Sequence, residues 1–559
     1  MTSQTTNQDA STVFEHLRHQ TFLYQPTTLD KEFPREDWET WRSICRERWE
    51  YFTGKAWEEV ITTGVGEGKA AEKYPLHINP VRTFALKHAY LLFGEVPEGS
   101  HSLVNTRVLP KTEEEAAHEI AEEAEEALNR VYYENRIRAT MSENALLSQF
   151  LGGCVFKVGW TPQTVLRPSG VRIERIVPDF FWGLPDGSDM WSMREAWVIQ
   201  PISIEEAKNL YNVNITSLGS LPGGVPGSSM QTLMVEHWTR DGYRVTIEGQ
   251  TAKVKVGDVT FDLEGPNPYE QVPFVYIPHE RAGGMQGLSI VDTLKQTAKE
   301  YNARMADAGD AVREETRLRP VITNVGQGVR TREIAPGVRA FDLGMSPPGG
   351  DKPSMGLLET PKISQQMNSF NESLLNQMRR DAFVPAVADG EDEGSQRSAL
   401  TLAFRMWPLT SHIRAERHYW TEGLNILAEL VLTVLAIKNP TRTNSKNVDE
   451  GIKKIGLQHL GHIKRQEWAP ILPRDRAELV NELVMRAGAG HISIEEALAQ
   501  YGDIEDIQKE LERIDEEAQE RQANNPFTNE NSDDDDDDDE NNNEEEIDPK
   551  GNDEQRDTK

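Results

Sequence analysis

The chain has 559 residues, 37% of them hydrophobic, with 60 Lys+Arg against 92 Asp+Glu and a formal net charge of −32. At about 100 to 200 residues per domain this is room for about three to five units and a sizeable core, while the charge excludes a conventional DNA-binding factor, though not a protein that must touch DNA without holding it. Cys45 and Cys154 supply neither a disulfide framework nor a four-thiolate zinc site, no run reaches the ~18 apolar residues of a membrane span, and the first residues lack a secretory-signal pattern, so a reducing compartment without membrane insertion or export by that route is expected.

In chain order, the stretch to about residue 109 reads as aromatic and helical. Trp38, Trp41 and Cys45 recur at i, i+3, i+7, one helical face, and together with Trp49 and Trp57 are expected in the core. The run TEEEAAHEIAEEAEEALNRVYYENRI from Thr112 predicts a helix with an apolar stripe of Ile120, Ala124, Leu128 and Val131, and Thr112 followed by Glu115 fits a capping box. A second helix, MSENALLSQF, ends at Gly152-Gly153.

The period then changes from helical to alternating. Strands are predicted at 154–158, 171–176, 233–238, 243–248, 254–263 and 272–277, with the Pro/Gly/Asp-rich loop VPDFFWGLPDG among them and Asp241-Gly242 marking a hairpin. Residues 152–278 thus read as a strand-rich layer between helical regions.

A long helix from Ser289 to Pro320 keeps Ile290, Leu294, Thr297, Tyr301, Met305, Ala308 and Val312 at helical spacing, with Lys295, Lys299, Arg304 and Arg313 mixed among Asp307, Asp310 and Glu314. Residues 321–360 read as short strands and Gly-rich turns. A helix from Pro361 to Phe383 breaks in VPAVADGEDEGSQ, and a very long one from Arg397 to Lys438 is interrupted only by Pro408, which lacks an N–H and is expected to kink it. Its apolar part, 423–437, carries Glu429 and reads as a buried helix. A final helical region is expected between about 448 and 522. Residues 526–559 hold 16 acidic and 3 basic residues, including seven consecutive aspartates from Asp533, with too few apolar residues to offset the entropy of ordering; 523–559 is expected to be a disordered acidic tail.

Enzyme signals fail. TGVGEGKA (63–70) resembles a phosphate loop, but Thr63 replaces its first Gly and Ala70 its final Ser/Thr. His459 and His462 have no third ligand near them, and no compact acidic cluster stands out with a Lys or His. No catalytic residue, metal or cofactor is expected.

The order of segments resembles something specific. Aromatic amino-terminal helices are followed by NPVRTFALKHAYLLFGEVPEG (79–99), a Glu-rich helix, LLSQFLGGCVFKVGW, a VPDFF turn, VPFVYIPHERAGGMQGLSIVDTLKQTAKEYN and GSQRSALTLAFRMWPL before a long helix. From about residue 40 to 440 this resembles the portal proteins of tailed bacteriophages. The resemblance implies an α+β, mainly α, portal fold in a homo-oligomeric ring, usually of twelve subunits. By chain order, 1–288 is the wing, 289–318 the first stem helix, 319–360 the clip, 361–383 the second stem helix and 384–396 the tunnel loop. Residues 397–438 are the kinked helix returning to the wing, 439–522 the crown and 523–559 the tail.

It also implies a function at a unique capsid vertex of the virion, reached from the host cytoplasm during assembly. There the ring conducts double-stranded DNA during packaging and ejection and docks terminase, a head–tail connector or adaptor protein, and major capsid and scaffolding proteins, with ATP hydrolysis left to the terminase. A basic channel wall summed around a ring would hold the duplex fast, whereas an acidic one lowers adhesion. The tunnel-loop residues Val384, Pro385, Asp389, Gly390, Glu391, Asp392, Glu393, Gly394, Gln396 and Arg397 are expected at the channel, with Arg397 a phosphate contact at its border. Arg330, Arg332 and Arg339 of the clip are expected to meet acidic partners or to balance charge within an intersubunit sheet, and the charges on the first stem helix to form intersubunit ion pairs. The alternatives are an acidic-tailed chaperone or DNA mimic, whose tail alone would act, and a capsid or scaffold subunit, which would form shells.

Overall fold

The structure is a computed structural model that describes residues 34–57, 78–94, 96, 102–161, 169–187, 189–213, 231–256, 259–281, 284–316, 320–323, 330–335, 338–342, 349, 354–357, 365–390, 399–438, 462–472, 476–494, 497–498, 510–511 and 513–517. Contacts divide the chain into two units, Met1–Pro473 and Arg474–Lys559.

The first unit opens with helix α1, Arg35–Thr53, whose first turn carries Glu36 and Asp37 where the helix dipole favours anions. Trp38, Trp41 and Cys45 are all buried, as is Trp57, and the indoles of Trp38 and Trp41 donate to the carbonyls of Asp179 and Pro178 respectively. Helix α2, Pro80–Leu92, starts from Asn79, whose side chain accepts from the Arg82 N–H while its amide donates to the carbonyls of Tyr51 and Phe52, so one cap also fixes α2 against the end of α1.

Strand β1, Asn105–Leu109, leads to α3, Glu115–Glu134, and α4, Ile137–Leu151. The Glu-rich α3 buries Ala121, Ala124, Leu128 and Val131, close to the expected stripe, with Ile120 half-buried. The expected capping box is absent: the helix begins from Glu114 without a side-chain cap, and Thr112 lies in the bend before it.

Strands β2, Gly153–Thr161, and β3, Gly170–Ile176, pair antiparallel, and a 3₁₀ turn at Pro178–Phe180 follows. Next come β4, Phe181–Asp186, β5, Asp189–Ser203, α5, Ile204–Tyr211, β6, Gln231–Thr239, and β7, Gly242–Ile247. The β6–β7 hairpin forms where Asp241-Gly242 announced it but turns one residue earlier, through Arg240-Asp241, with Trp238 opposite Tyr243. The predicted strand 254–263 is instead a small hairpin. After β8, Gln250–Thr251, come β9, Lys253–Val256, β10, Val259–Asp262, and β11, Glu264–Pro266. Strand β12, Phe274–Pro278, is buried along its whole length.

One sheet has the order β11-β7-β6-β5-β4 with β8 on β7, and a second has the order β12-β2-β3.

The long elements follow. Helix α6, Ile290–Thr316, leads to β13, Pro320–Thr323, β14, Arg330–Ala335, β15, Val338–Asp342, and β16, Ser354–Leu357. Here β13 pairs β16 and β14 pairs β15. Helix α7 is Gln365–Asp381 and helix α8, Ala399–Lys438, runs through Pro408. By length and composition Thr401–Lys438 could cross a membrane, but most of its apolar window is buried inside the fold. Trp420, fully buried, meets Phe93 and Phe156 edge-on. Gly423 lets the helix lie against the β12-β2-β3 sheet, because a Cβ there would sit 2.4 Å from Ile277.

Strand β17, Ile463–Glu467, pairs with β1 and corrects the expectation of helix throughout 448–522. Its IKRQE sequence has no apolar alternation to announce a strand; the pairing is held by Thr106 donating to Gln466, Gln466 donating to Asn425 of α8, and a Lys464–Glu429 ion pair. Residues 462–472 thus pack within the first unit.

The second unit contains α9, Arg476–Gly488, which buries Leu483 and exposes Val484 and Met485. Residues 523–559, and with them the expected disordered tail, lie outside the described residues, as does the 63–70 segment.

Candidate functional site

The segment joining α7 to α8 is where sequence reasoning set the channel loop. Helix α7 ends with Arg379 and Arg380 in its last turn. The chain then leaves the helix through three backbone hydrogen bonds, from Ala382 to Met378, Phe383 to Arg380 and Val384 to Arg379. Phe383 adopts a left-handed φ of 55°, which a bulky side chain rarely takes. A 3₁₀ turn, Ala386–Asp389, starts from Pro385 and stops at Gly390, whose φ of 78° suits a residue without Cβ.

Val384 is buried in the main core and so anchors the segment rather than presenting its side chain to solvent. Pro385 is half-buried at the head of the turn. Asp389 is held from both sides: Oδ2 accepts from Arg379 Nε at 2.9 Å and Oδ1 from Lys87 of α2. Its charge is therefore met by two cations of the same chain. Glu391, Asp392, Glu393, Gly394, Gln396 and Arg397 lie outside the described residues.

Beneath this turn lies a polar cluster that the sequence reading did not single out. His88 of α2 is fully buried, and its Nε2 is 2.8 Å from the Ala382 carbonyl. The acceptor requires the hydrogen on Nε2. Burial, reinforced by neighbouring His412, lowers the His88 pKa to about 3. The His412 ring of α8 lies under Phe383, stacked at 4.8 Å, and meets the His88 and His279 rings at 5.1 and 5.7 Å. Burial and His279 lower the His412 pKa as well. Glu416, one turn along α8, accepts from Gln149 Nε2 at 2.6 Å and faces His279 Nδ1 at 3.3 Å. Burial alone would raise its pKa, but His279, Gln149 and His88 outweigh it and hold the carboxyl below its ordinary value. The one sequence signal for this cluster was the His412–Glu416 pair at i, i+4, which puts both on one face of α8.

The clip arginines fall on the β14–β15 hairpin. Its register sets Arg330 opposite Asp342, Arg339 opposite Glu333 and Arg332 opposite Ala340, so two of the three stand across from acids. On α6, Lys295 pairs with Glu47 of α1, and Arg304 with Glu300 and Asp307 of its own helix. These pairs, expected between subunits, are made within one chain. His462 is buried and its Nδ1 accepts from the Lys111 N–H; His459 lies outside the described residues. Among the described residues no group of three or more His, Cys, Asp or Glu is placed to hold a metal ion.

Comparison with curated proteins gave no match. A protein-family model, described as phage portal protein, SPP1 Gp6-like, matches residues 230–524, more than half of the chain. That span takes in the end of the strand-rich layer, α6, the two small ladders, α7, the Phe383 turn and all of α8. The chain therefore belongs to the SPP1 Gp6-like phage portal protein family, a structural family whose members are ring-forming components of the bacteriophage capsid.

Proposed function

We propose that the chain forms a closed ring of twelve subunits at a unique capsid vertex, and that double-stranded DNA passes through its axial channel during packaging and ejection. The observation that carries this reading is the succession inside the matched span: a 27-residue helix, two small β-ladders, a 17-residue helix, a short turn and a 40-residue helix. A head-to-tail contact repeated by rotation closes a ring and leaves an axial opening. In this reading 1–288 is the wing, α6 and α7 the stem, 319–360 the clip and 384–396 the loop facing DNA, followed by the returning helix 397–438, the crown and the acidic tail.

The charge balance suits a conduit. A duplex is bound through neutralised phosphates, and each basic contact adds a salt-dependent term that would brake translocation. With Asp389 engaged by Lys87 and Arg379, the repelling charge at the channel falls to Glu391, Asp392 and Glu393, and Arg397 makes a phosphate contact at their border. The clip docks terminase and later the head–tail connector, Arg332 being the arginine without an acid opposite it in the hairpin register. The wing meets major capsid and scaffolding proteins, and assembly takes place in the host cytoplasm.

Negative-stain microscopy of the purified protein tests this directly. Rings with an axial channel are expected; closed shells would favour the scaffold alternative, and absence of rings under every assembly condition would overturn the reading.

A further inference from the structure

The buried cluster of His88, His279, His412 and Glu416 brings three elements, α2, the end of β12 and α8, together beneath one turn of backbone, and the channel reading makes no use of it. Its contacts with that turn are direct. His88 donates to the Ala382 carbonyl, and the Phe383 ring, on a backbone of φ 55°, lies flat on His412 with an interplanar angle of 12°. The unfavourable backbone angle persists because the surroundings fix it, and strained residues of this kind gather at places that switch. With its hydrogen on Nε2, the His88 ring has a bare Nδ1 that finds no partner in the cluster. A second proton would place a charged N–H there with no acceptor.

We propose that this cluster is a proton-sensitive latch on segment 382–390: neutral imidazoles hold Ala382 and Phe383 down, and opening of the segment lets His88 and His412 take up protons that keep it open. Each element packed against the two rings contributes groups that face them. They are Glu416 on α8, His279 and Glu280 beyond β12, and the Ala382 carbonyl from α7. Gln149 of α4 donates to Glu416, and Cys154 of β2 lies within its electrostatic reach. Lys87, beside His88, is turned to Asp389 and ties the same segment from outside the cluster.

The sign follows from linkage. In the closed state His88 stays neutral down to about pH 3, whereas hydrated imidazole protonates near 6.5. Between those values the open state binds the extra proton, so opening gains as pH falls. From pH 7.5 to 5.0 His88 alone multiplies the opening equilibrium by about 30-fold, and His412, shifted in the same direction, adds to it. The latch depends on the fold of one chain, so its failure would leave the channel reading standing.

Amide hydrogen exchange of the full chain, corrected for the intrinsic pH dependence, reads this out. The hydrogen-bonded amides of Ala382, Phe383, Val384, Ala388 and Gly390 report the segment, and the β6–β7 hairpin serves as reference. Protection of the segment is expected to fall about 30-fold or more between pH 7.5 and 5.0 while the hairpin holds. His88→Gln keeps a donor toward Ala382 and cannot titrate, so its fall is expected to shrink by about that factor. Unchanged protection, an equal fall in both segments, or a full fall retained in His88→Gln overturns the proposal. Should His88→Gln fail to fold, the two-segment comparison in the unsubstituted chain decides alone.

Discussion

Arg48 and Asp292, 244 positions apart, are joined by two hydrogen bonds, Nη2 to Oδ2 at 2.6 Å and Nε to Oδ1 at 3.2 Å. The same guanidinium donates to the carbonyls of Leu151 and Gly287, and Asp292 Oδ2 also accepts from the Ser289 N–H that opens α6. One planar fork therefore ties α1, the end of α4 and the start of the first long helix, a geometry that Lys cannot reproduce.

Arg48→Ala leaves a carboxylate and two carbonyls without their donor. Since Arg48 is 4% exposed but Asp292 27%, the loss is expected at about 1.5 to 3 kcal/mol, the range for hydrogen bonds to a charged group. Arg48→Lys should recover only part of it. Urea denaturation of both variants checks the order, and a loss below 1 kcal/mol for Arg48→Ala would place the junction's stability elsewhere.

Helix α8 is held to its sheet by Trp420 and by the absence of a side chain at Gly423. Trp420→Ala should cost about 3 to 5 kcal/mol through the cavity left between Phe93 and Phe156. Gly423→Ala should cost about 1 to 3 kcal/mol by overpacking against Ile277. Equal stability of the Gly423→Ala chain and the parent by thermal melting would contradict the close approach.

Asp389→Asn tests the outer tie of the turn. The carboxylate is 20% exposed, so removing its charge should cost no more than about 1 kcal/mol globally. Exchange at Ala388 and Gly390 should nevertheless rise, because Lys87 and Arg379 then lose their shared anion. A global loss without a local rise would mean that the pairs stabilise the helices and not the turn.

The long helices and the β6–β7 hairpin were legible because each carries a strong local signal: apolar spacing over about six turns in α6, a long apolar run in the second half of α8, and Asp241-Gly242 between alternating strands. Trp38, Trp41 and Cys45 gave away a core face in the same way. Strand β17 was not legible, since it pairs with a strand more than 350 residues earlier and IKRQE shows no alternation of its own. Helix α3 kept its stripe but not its cap, Thr112 being drawn into the bend that joins it to β1. The histidine cluster was invisible for a related reason: His88, His279 and His412 are scattered along the chain and only the packing of α2, β12 and α8 collects them. Asp389 shows the converse, because its residue type announced a repelling charge and only the fold reveals the two cations that neutralise it.

Global stability should also fall with acid, and three groups give that fall the same sign. The unfolded chain protonates His88 near 6.5 and the folded chain only at about 3, so the stability present above 6.5 is lost as pH drops below it. The slope from this one residue is about 1.4 kcal/mol per pH unit. His412, also lowered, steepens the upper part of the window, and Glu416, lowered from its ordinary 4.5, contributes below that value. Denaturant unfolding at pH 7.5, 6.0 and 5.0 should show a fall of about 0.8 kcal/mol or more over the first step and of about 1.2 kcal/mol or more over the second. His88→Gln should flatten the second step, because Gln binds no proton in either state. A parent chain equally stable at pH 6.0 and 5.0 would show that the imidazoles take up protons without leaving their burial, and that the cluster is hydrated in the folded protein.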